Sequence, residues 1–281
     1  MVPIIGSIEN LATSSTVWFV DIWGVLHNGV APFAPAVAAC QTYRANGGLI
    51  VLVSNAPRPA TAVAAALDRI GLPRDAYDVI RSSGDTACEL ISAIAARPLY
   101  HLGPDRDLPL YDGIKVTFAP ADTAGAIVCT GLVDDNRETA ETYRPLLEAF
   151  AARAVPMICA NPDISVERGG RLIPCAGAVA ALYAELGGAV TYAGKPYPPI
   201  YEDAFAIADL LSGHPVPRSD ILAIGDGIRT DIAGAAAVGL RSVYIASAVS
   251  LGDATLDASS LARLFPDPTV QPVAAMAELK W

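Results

Sequence analysis

Four runs rich in Val and Ile, VWFVD (17–21), LIVLVSN (49–55), ILAIGD (221–226) and SVYIAS (242–247), are apolar with little polar alternation, which predicts strands buried on both faces. Between them lie Ala-rich stretches with apolar positions at helical spacing: PAVAACQTYRANGG (35–48), PATAVAAALDRIG (59–71) and PPIYEDAFAIADLLSG (198–213). The first has Pro35 near its start and Gly47 just past its end, the usual punctuation of a helix. Strands alternating with helices predict βαβ units, hence an α/β fold with a parallel-sheet core and helices on both faces. A second alternating series fills the middle: PLYHLG (98–103), IKVTFAP (114–120), AIVCTG (126–131), a helix over 137–153 and PMICANPD (156–163). That block predicts a smaller inserted α/β domain at 98–188, leaving 1–97 and 189–281 as the core domain.

Composition narrows the class. At 281 residues, 53% of them hydrophobic, the chain exceeds the usual single domain and has ample material for a core. The longest strongly apolar run, VWFVDIWGVL from Val17, is about half of the ~20 residues a membrane span needs, so no membrane partner is expected. No Lys or Arg precedes Arg44, so the charged start of a secretory signal is missing and the expected compartment is the cytoplasm. Cys40, Cys88, Cys129, Cys159 and Cys175 form no CxxC pair and have apolar neighbours, which favours reduced thiols over a zinc site. A net charge of −10 argues against nucleic acid and requires that any anionic ligand be held by local donors and metal. A homo-oligomer is compatible with the sequence but not encoded legibly in it.

Polar groups gather where three predicted strands end: Asp21, Ser54 with Asn55, and Asp226. Ligands of open α/β sheets bind along that edge. One Asp at a strand end is more often a turn or cap residue, but three such ends plus the Gly194-Lys195-Pro196 turn point to a site. HNGV (27–30) carries the Asn-Gly signal of a hairpin turn. GDGIRTD has Thr230 at the third glycine position and is no dinucleotide fingerprint. His101 and His214 have no partners at metal-ligand spacing.

In this order, DIWGVLHNG (21–29), VSNAPRP (53–59), GKPYPPIYEDA (194–204) and GDGIRTDIAGA (225–235) resemble the four motifs of the haloacid dehalogenase superfamily. The chain is most similar to its class II, α/β-capped phosphatases, which include p-nitrophenyl-phosphatase-like and nucleotide or sugar phosphatase members. The resemblance implies a Rossmann-like core with the 98–188 block as its cap. It also implies Mg²⁺-dependent hydrolysis of a phosphate ester or acyl phosphate on a small phosphorylated metabolite. Asp21 would be the nucleophile; Asp21, Asp226 and the backbone carbonyl of Trp23 would hold the metal, a hard cation that prefers oxygen. Asp231 would be an outer ligand or a carboxylate just behind the ligands, and equally suits the N-cap of the helical run DIAGAAAVG. Ser54 would offer its hydroxyl and backbone N–H to the phosphate, with Asn55 beside it; a turn before Pro57 accounts for either residue alone. Lys195 would neutralise charge on nucleophile and phosphate. Within the cap, CANPD (159–163) followed by VERGGRLIPCAG resembles the segment that selects substrate. It makes Asn161 and Asp163 candidate ligand contacts, with an Asx turn around Pro162 as the alternative.

Trp23 departs from the pattern. The phosphatase motif is D-x-D, and its second Asp protonates the leaving group and then activates water. An indole N–H does neither, and losing a general acid costs about 10²–10⁴ in rate. Two other readings follow: a phosphate-ligand binder that kept the scaffold and lost turnover, and, with weaker support, a dehalogenase. Dehalogenases have an aromatic residue at this position, but they need no metal and lack the leading Asp of the fourth motif. Retention of Asp21, Ser54, Lys195 and Asp226 together favours the metal-dependent enzyme.

Overall fold

The computed structural model describes residues 2–168, 171–246 and 255–281. Its strands in chain order are β1 (Val17–Val20), β2 (Leu49–Ser54), β3 (Val79–Ser82), β4 (Pro98–Leu102), β5 (Thr117–Phe118), β6 (Ala126–Cys129), β7 (Met157–Cys159), β8 (Ser165–Arg168), β9 (Arg171–Pro174), β10 (Val190–Tyr192), β11 (Ile221–Gly225), β12 (Arg241–Ile245) and β13 (Ala274–Met276). The chain divides into two compact units, one of Met1–Ser54, Val63–Arg81 and Tyr201–Trp281, the other of Asn55–Ala62 and Ser82–Ile200.

The first unit is built on a sheet in the order β13-β12-β11-β1-β2-β3. From β13 through β2 every pairing is parallel, with Val17 of β1 level with Ile221 on one side and Leu49 on the other. Every residue of β1 and β11 is buried, which is why both read as unbroken apolar runs. The helix Ala34–Ala45 packs on this sheet through Tyr43, whose ring stacks on Trp18 at 3.8 Å and 6°. Both rings also bond Ser15: Trp18 Nε1 donates to its Oγ at 3.1 Å, and Tyr43 OH donates to its carbonyl at 3.0 Å. The strands before and after β1 in the sheet show the decisive topology. β2 and β3 lie on one side, and β11, β12 and β13 on the other, so the chain order reverses between β1 and β11. In open α/β sheets the crevice beyond the strand C-termini at such a reversal is where ligands bind.

The second unit carries the parallel sheet β10-β7-β6-β4-β5 and the antiparallel hairpin β8–β9. Side chains alternate between two cores, as the period of a strand requires. Ile127, Cys129, Met157 and Cys159 face a cluster that includes Leu147 and Phe150 of helix Arg144–Ala152 and Val179 of helix Ala176–Glu185. Ala126, Val128 and Ile158 face Ala87 and Ile91 of helix Ser83–Ala93. The helix expected over 137–153 is shorter: a 3-10 turn at Ala140–Tyr143 leads into the α-helix, with Pro145 in its first turn, where a missing N–H is harmless. Among the described residues no helix is long and apolar enough to cross a membrane. Gly169, Gly170 and Ser247, part of the expected cap segment and of the expected strand at 242–247, lie outside the described residues.

Candidate active site

Asp21 directly follows β1, and its N–H extends the ladder by donating to the Ile224 carbonyl at 2.8 Å. Asp226 directly follows β11, so both carboxylates stand at the reversal of strand order. Asp231 arrives from the π-helical turn Ile228–Ile232, in which the Asp231 and Ile232 N–H groups both donate to the Gly227 carbonyl, at 2.8 and 3.1 Å. Its Oδ2 accepts from the Gly227 N–H at 3.0 Å. This bond points back to the strand end, and the residue preceding the next helix is Ile232, so Asp231 is not that helix's N-cap. Gly225 makes room for it: a Cβ there would lie 2.2 Å from Asp231 Cγ.

Asp21, Asp226 and Asp231 each offer one carboxylate oxygen, and the three atoms lie within 4.8 Å of one another. Carboxylates this close repel one another when ionised, and a cation among them offsets that repulsion. The wall of the site is Gly24, at φ +81°, where a Cβ would lie 2.3 Å from Asp226 Oδ2. An all-oxygen donor set against a bare glycine wall suits a small divalent cation, a hard ion that prefers oxygen ligands. Trp23, whose carbonyl the family resemblance adds to the ligands, belongs to the same turn between Asp21 and Gly24.

The Trp23 ring projects from that turn and is 43% exposed. It covers Gly29, where a Cβ would come within 2.4 Å of the indole, and meets His27 edge-on at 5.1 Å. In place of the hairpin expected at HNGV there is a side-chain-closed turn without flanking strands: Asn28 Oδ1 accepts from the Val30 and Ala31 N–H groups at 3.0 Å each, Gly29 sits at φ +88°, and His27 and Pro32 on its two sides share an isolated antiparallel bridge. His27 Nδ1 accepts from the Gly29 N–H at 2.7 Å, and burial lowers the imidazole pKa.

Ser54 is the buried last residue of β2. In the second unit, Asn55, Asp163 and Lys195 come together. Asn55 Nδ2 donates to Asp163 Oδ1 at 2.9 Å and to the Lys195 carbonyl at 3.0 Å, while Asn55 Oδ1 accepts from the Lys195 N–H at 2.8 Å. Asn161 Oδ1 accepts from the Asp163 N–H at 3.0 Å, the Asx turn around Pro162 that its sequence allowed. One supporting element went unread in the sequence. Ser82 and Asp85 form a capping box at the start of helix Ser83–Ala93, and the same two side chains hold the segment after Asn55. Ser82 Oγ donates to the Arg58 carbonyl at 2.7 Å, and Asp85 Oδ1 accepts from the Ala60 N–H at 2.9 Å. The signal was the S-x-x-D spacing ahead of an apolar run.

A family model described as haloacid dehalogenase-like hydrolase matches residues 18–115, and a second, described as HAD-hydrolase-like, matches residues 192–268. The crystal structure of a haloacid dehalogenase-like hydrolase from Brucella suis 1330 is 43% identical, covers 98% of this chain and 100% of its own, and superposes with a TM-score of 0.87. The chain belongs to the haloacid dehalogenase-like hydrolases. Among curated relatives of this hydrolase, a D-glycerol 3-phosphate phosphatase from Mycobacterium tuberculosis is 27% identical over 267 residues. That match takes in 86% of this chain but 66% of the relative's length. A crystal structure of a glycerol phosphate phosphatase from the same organism, in complex with calcium, has a TM-score of 0.68 at 22% identity, over 94% of this chain and 74% of that one. At that identity the likeness speaks for the fold of the hydrolase alone.

Proposed function

We propose that this hydrolase is a cytoplasmic, Mg²⁺-dependent phosphatase that cleaves a phosphate ester or acyl phosphate of a small metabolite through an aspartyl-phosphate at Asp21. The observation that carries the reading is the trio Asp21, Asp226 and Asp231 beyond the strands where chain order reverses. What Mg²⁺ supplies when bound by these carboxylates and the Trp23 carbonyl is positive charge between an anionic nucleophile and an anionic phosphate. An Asp21 oxygen forms the new bond to phosphorus, and the ester or acyl oxygen leaves with its bonding pair. Water then attacks the aspartyl-phosphate, releasing inorganic phosphate and regenerating the carboxylate. Ser54 binds the phosphoryl oxygens, and Lys195 offsets their charge. The 98–188 block serves as the cap that restricts the site to small substrates.

Trp23 sets the order of preference. Without a carboxylate at that position, alkoxide leaving groups depart unprotonated, whereas acyl and aryl leaving groups are already stable anions. The curated relative's name makes glycerol 3-phosphate the alkyl ester to compare with them. The same residue favours a second reading, phosphate-ligand binding without turnover. Phosphate release from acetyl phosphate, p-nitrophenyl phosphate and glycerol 3-phosphate, measured with Mg²⁺ for wild type and Asp21→Asn, separates the two. Release that disappears in Asp21→Asn while the fold persists is the expected result. Saturable, metal-dependent binding with no product from a broad panel of phosphorylated metabolites would leave the binder.

A further inference from the structure

Resting on that reading, we propose that Asn55 and Asp163 are positioning residues for Lys195. Asn55 stands in for a neighbouring strand by pairing both backbone polar groups of Lys195, and Asp163 fixes the Asn55 amide in the orientation this requires. The need arises from the local chain path. β10 ends at Tyr192, and the Ala193 N–H still reaches the Cys159 carbonyl at 3.0 Å, but the chain then runs on past the sheet. Lys195 is only 2% exposed, so its N–H and carbonyl need protein partners. The Asn55 side chain supplies both, accepting at 2.8 Å and donating at 3.0 Å, as a peptide group would.

Asp163 decides which way the amide faces. With Nδ2 donating to Asp163 Oδ1 at 2.9 Å as well as to the Lys195 carbonyl, both Asn55 donors are committed. A flipped amide would set its oxygen against two acceptors and its NH₂ against the Lys195 N–H. Asp163 is held in turn, its N–H donating to Asn161 Oδ1 at 3.0 Å and its carbonyl accepting from the Gly177 N–H at 3.1 Å. The approach also needs Gly194. A Cβ there would lie 2.4 Å from Asn55 Oδ1, 2.7 Å from Ser83 Oγ and 2.9 Å from Pro162 Cδ. Asn55 and Asp163 thereby hold the backbone that carries the ammonium.

The test follows Lys195 itself as well as turnover, using the whole chain. Hydrogen exchange of the Lys195 amide by ¹⁵N NMR is compared with kcat and KM on p-nitrophenyl phosphate. The variants are Asn55→Ala, Asp163→Ala, Asp163→Asn and the pair Asn55→Asp with Asp163→Asn. In Asn55→Ala the Lys195 amide exchanges at least ~10-fold faster and kcat falls about 100-fold, the scale of a 1 Å misplacement, with KM little changed. Asp163→Ala moves both readouts the same way by less. Asp163→Asn keeps an acceptor and stays near wild type. Asn55→Asp alone sets carboxylate against carboxylate and loses kcat, and adding Asp163→Asn restores part of it by returning a donor to the pair. Should Asn55→Ala not fold, the Asp163 variants and the exchanged pair decide the question in its place. Unchanged Lys195 exchange in folded Asn55→Ala or Asp163→Ala would overturn the proposal. So would an Asp163→Asn variant that raises KM and leaves kcat alone, since that marks a substrate contact. If wild type turns over no substrate, the phosphatase reading fails, and the exchange data still decide the clamp.

Discussion

Gly24 offers a test of the carboxylate trio that removes none of the carboxylates. Replacing it with Ala introduces two separable costs. The backbone stays at φ +81°, where an L-residue is disfavoured by about 1–2 kcal/mol, enough to lower Tm by about 2–8 °C in a chain of this size. The new Cβ would also start 2.3 Å from Asp226 Oδ2, against an ordinary C···O contact of about 3.3 Å, so the carboxylate must move by about 1 Å. Metal ligands tolerate displacements of about 0.2 Å. The loss in Mg²⁺ affinity should therefore at least match the ~10–100-fold typical of removing a group that merely orients a ligand. Gly47→Ala is the control, since Gly47 has φ +87° but nothing within 4 Å of its Cβ position. It should lower Tm like Gly24→Ala and leave Mg²⁺ binding untouched. Calorimetric Mg²⁺ titration and thermal unfolding of the two variants beside wild type read both costs. Equal Mg²⁺ affinity in Gly24→Ala and wild type would refute the reasoning, because Asp226 cannot be a ligand and also give way without consequence.

Two further predictions follow from the same site. Asp226→Ala removes one oxygen donor from the trio, so the Mg²⁺ concentration needed for half-maximal phosphate release should rise at least ~10-fold, and a chelator should stop the wild type; activity indifferent to chelator would point to the dehalogenase chemistry instead. Trp23→Asp restores the second carboxylate of the D-x-D pattern and should raise turnover of alkyl phosphates by about 10²-fold, converting a burst of p-nitrophenol followed by slow turnover into steady hydrolysis; brisk wild-type hydrolysis of glycerol 3-phosphate would show that another group supplies the proton.

The elements legible in the sequence are those whose environment leaves a local pattern. β1, β2 and β11 are nearly continuous apolar runs because they lie deep in a sheet covered on both faces. β3, β10 and β13 are too short, at three or four residues, to establish any period. IKVTFAP reads as one strand, yet only Thr117–Phe118 pairs, both exposed at the sheet edge, while Ile114 and Val116 pack into the core beneath. The site divides along the same line. Asp21 and Asp226 are legible because ending a buried strand with a carboxylate leaves a mark within one residue. Asn161 is legible because Pro162 announces the turn that its side chain closes. Asn55 is different. Its partners are Asp163, 108 residues away, and Lys195, 140 residues away, and one sequence carries no signal across such a gap. Beside Ser54 it invites the reading of a phosphate contact. Nothing in VSNAPRP distinguishes an amide aimed at a ligand from one aimed at a distant backbone. The position of such a residue follows from its neighbours in the chain, but its role follows from what the fold brings against it.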